Sequence, residues 1–181
     1  MRGLERIFDV ARQSVSRWIV EYVKGLPKLK DTLLPAQPDD VLEYDEAWSF
    51  VLKKINQRWL WTVMGRRTRQ IIAFVLGERS EATCRRLWNK VPLGYRSCMS
   101  YSDFWEAYQK VLPHETHHAV GKDSGQVSHL ERWCCTLRPQ QARYVRKTLS
   151  FSKRDAFHHM VTKGFIVDYN LARKQLASLT L

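Results

Sequence analysis

The spacing of apolar residues changes at about residue 41, where helical periodicity gives way to three successive β-rich runs. In the first, Val41–Val51, apolar and polar residues alternate as they do in a strand. The next two, Arg58–Met64 and Gln70–Leu76, are rich in β-branched and aromatic residues and are joined by a short segment that contains Gly65. The pattern predicts an antiparallel meander of three strands and restricts the chain to folds that open in this way.

The remaining pattern alternates between helix and strand, and its order narrows the fold further. We predict a helix capped by Ser80, a strand at Ser97–Ser102, a helix at Trp105–Val111, a strand at Thr116–Val120 and a helix at Gln126–Leu137. The order βββαβαβα is that of the RNase H-like fold, an α/β fold with a mixed five-stranded sheet and flanking helices. In that fold the first strand lies centrally, beside the fourth.

Three acidic residues fall at positions that this fold would bring together. Asp45 lies in the first strand, Asp103 follows the fourth, and Glu131 lies beside the apolar stripe of the helix at Gln126–Leu137. Mg²⁺ and Mn²⁺ prefer oxygen ligands, and two such ions can stabilise the attacking and leaving oxygens of an in-line displacement. We therefore predict a two-metal site, in which repulsion between the carboxylates raises at least one pKa when metal is absent. Taken singly, each acid is more typical of a surface residue or a salt-bridge partner.

The charge of the chain indicates a polyanionic partner. The formal net charge is +12, and the segment Arg138–Arg154 contains six basic residues and no acid. Such a segment suits a phosphate backbone, which binds through counterion release. The alternative is a solvated basic face that only aids solubility.

Length and hydropathy limit the number of domains and the location of the protein. The 181 residues suffice for one well-buried domain with a short appendage. The longest apolar run, Ile71–Leu76, is far below the roughly 18–20 residues that span a bilayer. We expect a cytoplasmic, nucleoid-associated protein with no membrane partner.

The N-terminal region separates from the rest at a proline-rich segment. Residues 1–24 are predicted to form a partial helix-turn-helix, residues 25–40 a linker, and residues 41–181 the catalytic domain with basic C-terminal helices. Asp9 lies at the turn, where a left-handed residue is needed. The second helix would bury Val15, Trp18, Ile19 and Tyr22 and present Arg12, Gln13, Ser16 and Arg17 to a major groove. An amphipathic hairpin packed on the main domain fits the pattern equally well.

Cysteine and histidine spacing gives no zinc motif. The nearest pattern is a set of histidines followed by adjacent cysteines, without finger or ribbon spacing: His114, His117, His118, Cys134 and Cys135. We expect no zinc in this chain.

Four segments carry a family resemblance. Tyr44–Val51, Tyr101–Trp105 and Leu130–Arg138 closely resemble the three catalytic blocks of transposases of the insertion-sequence-one family, and the similarity continues through Arg146–Ser152. The resemblance implies that Asp45, Asp103 and Glu131 are a DDE triad. It also implies that activated water cuts the element end and that the freed 3′-hydroxyl attacks target DNA. The implied partners are double-stranded terminal inverted repeats, target DNA, and further copies of the chain in a synaptic complex.

The chain also departs from the family pattern. Members commonly carry a zinc ribbon and a complete helix-turn-helix before the catalytic domain, whereas this chain starts inside the latter. Pro139 is expected to end or kink its helix at Arg138, and Gly164 costs about 1 kcal/mol relative to alanine in a predicted helix at Asp155–Leu179. These features predict a truncated or decayed copy.

Basic and aromatic residues near the triad are candidate DNA contacts. Arg132 and Arg138 could hold scissile-strand phosphates, although Arg132 could equally pair with a nearby acid. Arg143, Arg146 and Lys147 are predicted to share one helical face. Among the tryptophans, Trp59, Trp61 and Trp88 are assigned to the core, while Trp105 and Trp133 fit the core and a base-stacking role about equally.

Three functions remain open on the sequence alone. The first is a transposase. The second is a nuclease or junction resolvase of the same fold, which hydrolyses DNA without joining it. The third is a noncatalytic DNA-binding protein or transposase remnant.

Overall fold

The fold is described from a computed structural model, which covers residues 2–145 and 147–179. Six helices and five strands make up its regular elements, and short 3₁₀ turns connect several of them. In chain order these are α1 (Arg2–Phe8), α2 (Arg12–Gly25), β1 (Val41–Phe50), β2 (Gln57–Gly65), β3 (Ile71–Gly77), α3 (Glu81–Lys90), β4 (Met99–Ser102), α4 (Glu106–Val111), β5 (His117–Ala119), α5 (Ser128–Gln140) and α6 (Asp155–Leu179).

The five strands form one mixed sheet in the order β3-β2-β1-β4-β5. Strands β1, β2 and β3 pair antiparallel, while β4 runs parallel to both β1 and β5. The first strand is therefore central and lies beside the fourth, as predicted from the order of elements. The topology confirms the expected α/β, RNase H-like fold.

Helices cover both faces of the sheet, so the chain forms three layers. On one face Leu42 and Tyr44 of β1 pack with residues of α3 and α4, including Leu87 and Tyr108. On the other face Ala47 packs with residues of β2, β3, α5 and α6. The central strand is thus buried on both sides, and even its polar residues Glu43 and Ser49 are almost fully buried. The polar residues that gave β1 its alternating pattern therefore need partners inside the fold.

The N-terminal helices have the predicted helix–turn–helix shape. Asp9 adopts the expected left-handed conformation, with φ of 50°. The predicted buried stripe is partly wrong: Val15 and Val23 are buried, whereas Trp18 and Tyr22 are about half exposed. The reason is that α2 meets α6 along the line through Val15 and Val23, which leaves the neighbouring aromatic side chains at the flank.

Gly164 allows this close approach of α2 and α6. A Cβ atom at Gly164 would lie 3.0 Å from a methyl carbon of Val23. The hydroxyl of Tyr22 donates a hydrogen bond of 2.8 Å to Asp168 in the same contact. The glycine therefore has a packing role, and the predicted decay of the copy stays a prediction.

Helix α5 continues through Pro139 and ends at Gln140, so the predicted end at Arg138 is wrong, while the alternative of a kink there stays a prediction. Pro139 removes one backbone donor, but it is the penultimate residue of α5, so no further turn depends on it. Beyond α5 the chain forms a 3₁₀ turn at Ala142–Tyr144 and then loses helical structure. Arg143 and Lys147 therefore share no helical face, and Arg146 lies outside the described residues.

The tryptophans are mostly structural. Trp61 is fully buried, Trp133 is 3% exposed, and Trp59, Trp88 and Trp105 are half-buried at the edges of the core. The base-stacking alternative is therefore wrong for Trp133. No helix in the ranges 2–145 and 147–179 is long and apolar enough to cross a membrane.

Candidate active site

Asp45, Asp103 and Glu131 line the same cleft, although they come from three separate elements. The cleft has a volume of about 510 Å³ and opens where β1 extends beyond the end of β4. Glu46, Arg79, Lys122 and Arg138 contribute further charged side chains to its walls.

The register of the central parallel pair explains how the two aspartates meet. Glu43 of β1 pairs with Tyr101 of β4. Continuing both strands by two residues places Asp45 level with Asp103, just after β4 ends at Ser102. Side chains alternate between the two faces of a sheet along each strand. Asp45 therefore points to the same face as Glu43, and Asp103 continues the face of Tyr101.

The fold holds Asp103 at the start of α4. Its Oδ1 accepts a hydrogen bond of 3.0 Å from the backbone N–H of Trp105. The preceding residue, Ser102, donates to the carbonyl oxygen of Asp103 at 2.7 Å and lies 3.1 Å from Nε2 of the buried His117. Strand β5, which carries His117, therefore helps to fix the backbone beneath Asp103.

Glu131 is positioned through the first turn of α5, which is attached to β1 by Glu43. The Glu43 carboxylate is fully buried and accepts hydrogen bonds from the backbone N–H groups of His129 and Leu130, at 3.1 and 3.0 Å. It also lies 2.6 Å from Nδ1 of His129 and pairs with Arg66 at 2.9 Å. Glu43 thus caps α5 from the strand that carries Asp45, and so couples the positions of Asp45 and Glu131.

The environment of the cleft shifts the pKa of Asp45. Burial raises the pKa of Asp45 to about 7, and the neighbouring charges of Glu46, Asp103 and Glu131 act in the same direction. The backbone N–H of Glu46 opposes this by donating to Asp45 at 2.8 Å. The predicted rise of a carboxylate pKa is confirmed in direction, with burial as its largest cause.

Glu46 and Arg79 also line the cleft, and neither was predicted as a site residue. Oε1 of Glu46 pairs with Arg79 at 2.6 Å, and Oε2 accepts a 2.7 Å hydrogen bond from the hydroxyl of Tyr108. Arg79 in turn stacks over the rings of Trp59 and Trp105. The adjacency of Glu46 to Asp45 was the only signal, and strand alternation argued against it. Both residues reach the cleft because β4 pairs only with the start of β1 and leaves this edge open.

The predicted DNA contacts are spread over several surfaces. Arg138 lines the acidic cleft, whereas Arg132 lines a separate pocket and forms no ion pair with any described residue. The predicted alternative, in which Arg132 pairs with an acid, is therefore not found in the described part of the chain. Arg143 is half-buried and donates to Ser152 at 2.6 Å, while Lys147 is exposed.

On α2 the proposed reading residues are mostly exposed. Arg12 pairs with Glu5 at 2.9 Å, and Arg17 lies 3.9 Å from Glu21. Gln13 is exposed and Ser16 is half-buried. The structure leaves their DNA-binding role as a prediction.

The donor set of the cleft fits a hard divalent cation. Carboxylate oxygens are the ligands that Mg²⁺ and Mn²⁺ prefer, and a cation would relieve the unfavourable ionisation of Asp45. Within residues 2–145 and 147–179, no three potential ligands are already close enough to hold an ion. The Glu131 side chain is exposed and has no hydrogen bond or ion pair with the described residues, so it can change rotamer at little cost.

An RNase H-like sheet whose central strands end in a cleft lined by four carboxylates defines the structural class of this protein. The sequence profile described as IS1 transposase matches residues 41–171. The chain belongs to the IS1 transposase family.

Individual relatives agree with this assignment. The chain is 36% identical over 126 residues to the InsB protein of insertion element iso-IS1n from Shigella dysenteriae, which covers 70% of this chain and 93% of the relative. It is 36% identical over 124 residues to IS1 InsB from Shigella flexneri, covering 68% and 92%. It is 33% identical over 161 residues to IS1 InsB from Escherichia coli, covering 86% and 94%. The expected truncation stays a prediction.

Proposed function

We propose that this protein is a DDE transposase that cuts DNA at the ends of an insertion element and joins them to target DNA. The observation that carries the proposal is the convergence of Asp45, Asp103 and Glu131 on one cleft. These residues lie in the segments that resemble the family's catalytic blocks, on the elements where an RNase H-like site requires them.

Asp45, Asp103 and Glu131 would hold two Mg²⁺ or Mn²⁺ ions. Such ions activate water and stabilise the attacking and leaving oxygens of an in-line displacement. Asp45 must lose its proton to act as a ligand, and Glu131 must turn into the cleft. Arg138, on the same wall, can pair with a phosphate oxygen of the scissile strand.

The reaction would proceed in two displacements. In the first, water attacks a phosphorus atom at the element end, the bond from phosphorus to the 3′-oxygen breaks, and a 3′-hydroxyl is released. In the second, that hydroxyl attacks a phosphodiester of the target, and the target's own 3′-oxygen leaves. Glu43, which accepts hydrogen bonds from the first turn of α5, would hold the backbone of α5 against β1 in both steps.

The remaining assignments follow from this function. We propose residues 41–181 as the catalytic domain, residues 25–40 as a linker, and residues 1–24 as a partial helix-turn-helix that contacts the terminal inverted repeats. Arg12, Gln13, Ser16 and Arg17 would face DNA. Two element ends must meet for joining, so the active form would be a homo-oligomer acting at the nucleoid.

The test uses the full-length protein, Mn²⁺ and end-labelled DNA that carries an element end. We expect cleavage followed by strand-transfer products. Glu131→Gln should abolish both reactions and leave metal-free DNA binding unchanged, because it removes a metal ligand and keeps the fold. The matched control is Glu81→Gln on α3, an exposed acid paired with Arg85 outside the cleft.

Each of the other possible results supports a different function or a different set of catalytic residues. Nicking without joining supports the nuclease or resolvase, and binding without nicking supports a noncatalytic remnant. Cleavage that persists in Glu131→Gln removes Glu131 from the triad.

A further inference from the structure

A second pocket lies on the other flank of α5 from the acidic cleft. Its volume is about 390 Å³. The side chains that define it, here called the arginine pocket, are Arg69, His129, Arg132, Trp133, Tyr169 and Arg173. No carboxylate lines this pocket in the part of the chain that the structure describes, in contrast to the acidic cleft.

The helical spacing of α5 separates the two sites. Glu131, Cys134, Cys135 and Arg138 face the acidic cleft, whereas His129, Arg132, Trp133 and Thr136 face the arginine pocket. Each set has the spacing i, i+3, i+4, i+7, so each forms one stripe along the helix. Ser128, the first residue of α5, touches both sites. A single extended ligand could therefore cross the start of the helix and reach both.

Unpaired donors are concentrated in the arginine pocket. Among the described residues, only three buried side-chain polar atoms have no hydrogen-bond partner, and two of them belong to residues of this pocket: Nη1 of Arg69 and Nε1 of Trp133. Both groups can only donate. Since buried donors are normally satisfied, the pair shows that this wall of the pocket lacks acceptors from the protein itself.

The neighbouring charges also favour an anion. Arg132 has no partner among the described residues, and Arg173 makes only a 3.4 Å hydrogen bond to the carbonyl of Thr68. Burial lowers the pKa of Arg69, the charge of Glu43 opposes this shift, and the nearby charge of Arg173 lowers the pKa further. The charge of Glu43, which acts on Arg69, is shared with Arg66, His129 and the backbone of α5.

We propose that the arginine pocket binds a phosphate group of the DNA backbone. Several donors converge from different directions, which suits the tetrahedral oxygens of a phosphate, and the guanidinium fork matches phosphate geometry. The inference rests on the proposed function, since DNA is the phosphate-bearing partner. It adds Arg173 as a contact beside Arg132 and Arg69 as a nearby positive charge, and it places the strand across the N-terminal turn of α5.

The test measures binding of a short fluorescein-labelled duplex to the full chain by anisotropy, in metal-free buffer over a range of salt concentrations. In the variant R132Q/R173Q, we expect affinity to fall about tenfold. The slope of log K against log salt should fall by about one, because the variant no longer neutralises one phosphate. Arg85→Gln is the matched control, because Arg85 is exposed on α3, across the sheet from the pocket.

A second measurement keeps the result separate from a folding defect. Inorganic phosphate should raise the melting temperature of the wild type, but not that of R132Q/R173Q, relative to chloride at equal ionic strength. If the wild type binds DNA and the double variant binds it with unchanged affinity and slope, the phosphate pocket is refuted and the proposed function stands. If polyglutamate displaces DNA and requires the same arginines, the pocket serves an acidic protein partner instead. If the wild type binds no duplex, the proposed function itself fails.

Discussion

Folding makes the ionisation of the Asp45 side chain unfavourable. Its pKa is raised from 3.8 to about 7, first by burial and then by Glu46, Asp103 and Glu131. Between these two values the folded protein binds a proton that the unfolded chain has lost, so stability falls as the pH rises from about 4 to about 7. Above about 7 the full penalty is present in the absence of a cation.

We therefore predict that Asp45→Asn stabilises the metal-free protein at neutral to alkaline pH. One pKa unit corresponds to about 1.4 kcal/mol, and the open cleft reduces the effect, so we expect a gain of about 1–3 kcal/mol at about pH 8. At about pH 4 the gain should be small, because the aspartate is then protonated in the folded state. Urea unfolding at the two pH values measures this difference. Equal effects at both would show that charge is not the cause.

The same cleft shows what a sequence can predict at single positions. Asp45, Asp103 and Glu131 were found from their order and local motifs, because those features are written along the chain. Glu46 and Arg79 were missed because their roles depend on where β4 stops and on how Arg79 lies between Trp59 and Trp105. Such contacts arise only once the elements are packed.

Among the elements, α5 depends most on a single contact from elsewhere in the fold. It has no side-chain N-cap of its own, and the buried Glu43 of β1 supplies the acceptor instead. The sequence placed α5 to within a few residues but held no sign of this anchor, because Glu43 looked like one polar member of an alternating strand. It also overstated the effects of Pro139 and Gly164, since each depends on its position in the packed helix.

We predict that Glu43→Gln destabilises the protein by about 2–4 kcal/mol. The amide keeps the size of the side chain and one oxygen for the backbone N–H groups of α5, which both donate to Oε2. It removes the charge that pairs with Arg66 and the acceptor, Oε1, that faces Arg66 and His129. Glu81→Gln, which removes an exposed helical ion pair, should cost less than about 0.5 kcal/mol. Urea unfolding measures both variants, and a Glu43→Gln variant as stable as the control would show that the charge of Glu43 does not stabilise the fold.

At the scale of the whole molecule, the topology followed from the order of elements alone. Three adjacent strands followed by alternating helices and strands leave few arrangements open, and β1 takes the central place in this one. The packing of α2 against α6 was not fixed by the pattern, since the hairpin and the helix-turn-helix have the same periodicity. It depends on Gly164, at the far end of the chain.

Metal binding should raise the stability of the whole fold, because folding buries carboxylates that repel one another in the acidic cleft. The folded protein brings Asp45, Asp103 and Glu131 to one cleft, whereas the unfolded chain does not, so a divalent cation should bind the folded state preferentially. At a Mn²⁺ concentration about one hundred times the dissociation constant, linkage gives about 2.7 kcal/mol, or a rise in Tm of about 5–10 °C for a chain of this length. Asp45→Asn and Glu131→Gln should each lose most of this rise, while Glu81→Gln keeps it. Differential scanning fluorimetry measures the shift. An equal rise in all four proteins would place the cation outside the cleft and contradict the two-metal site.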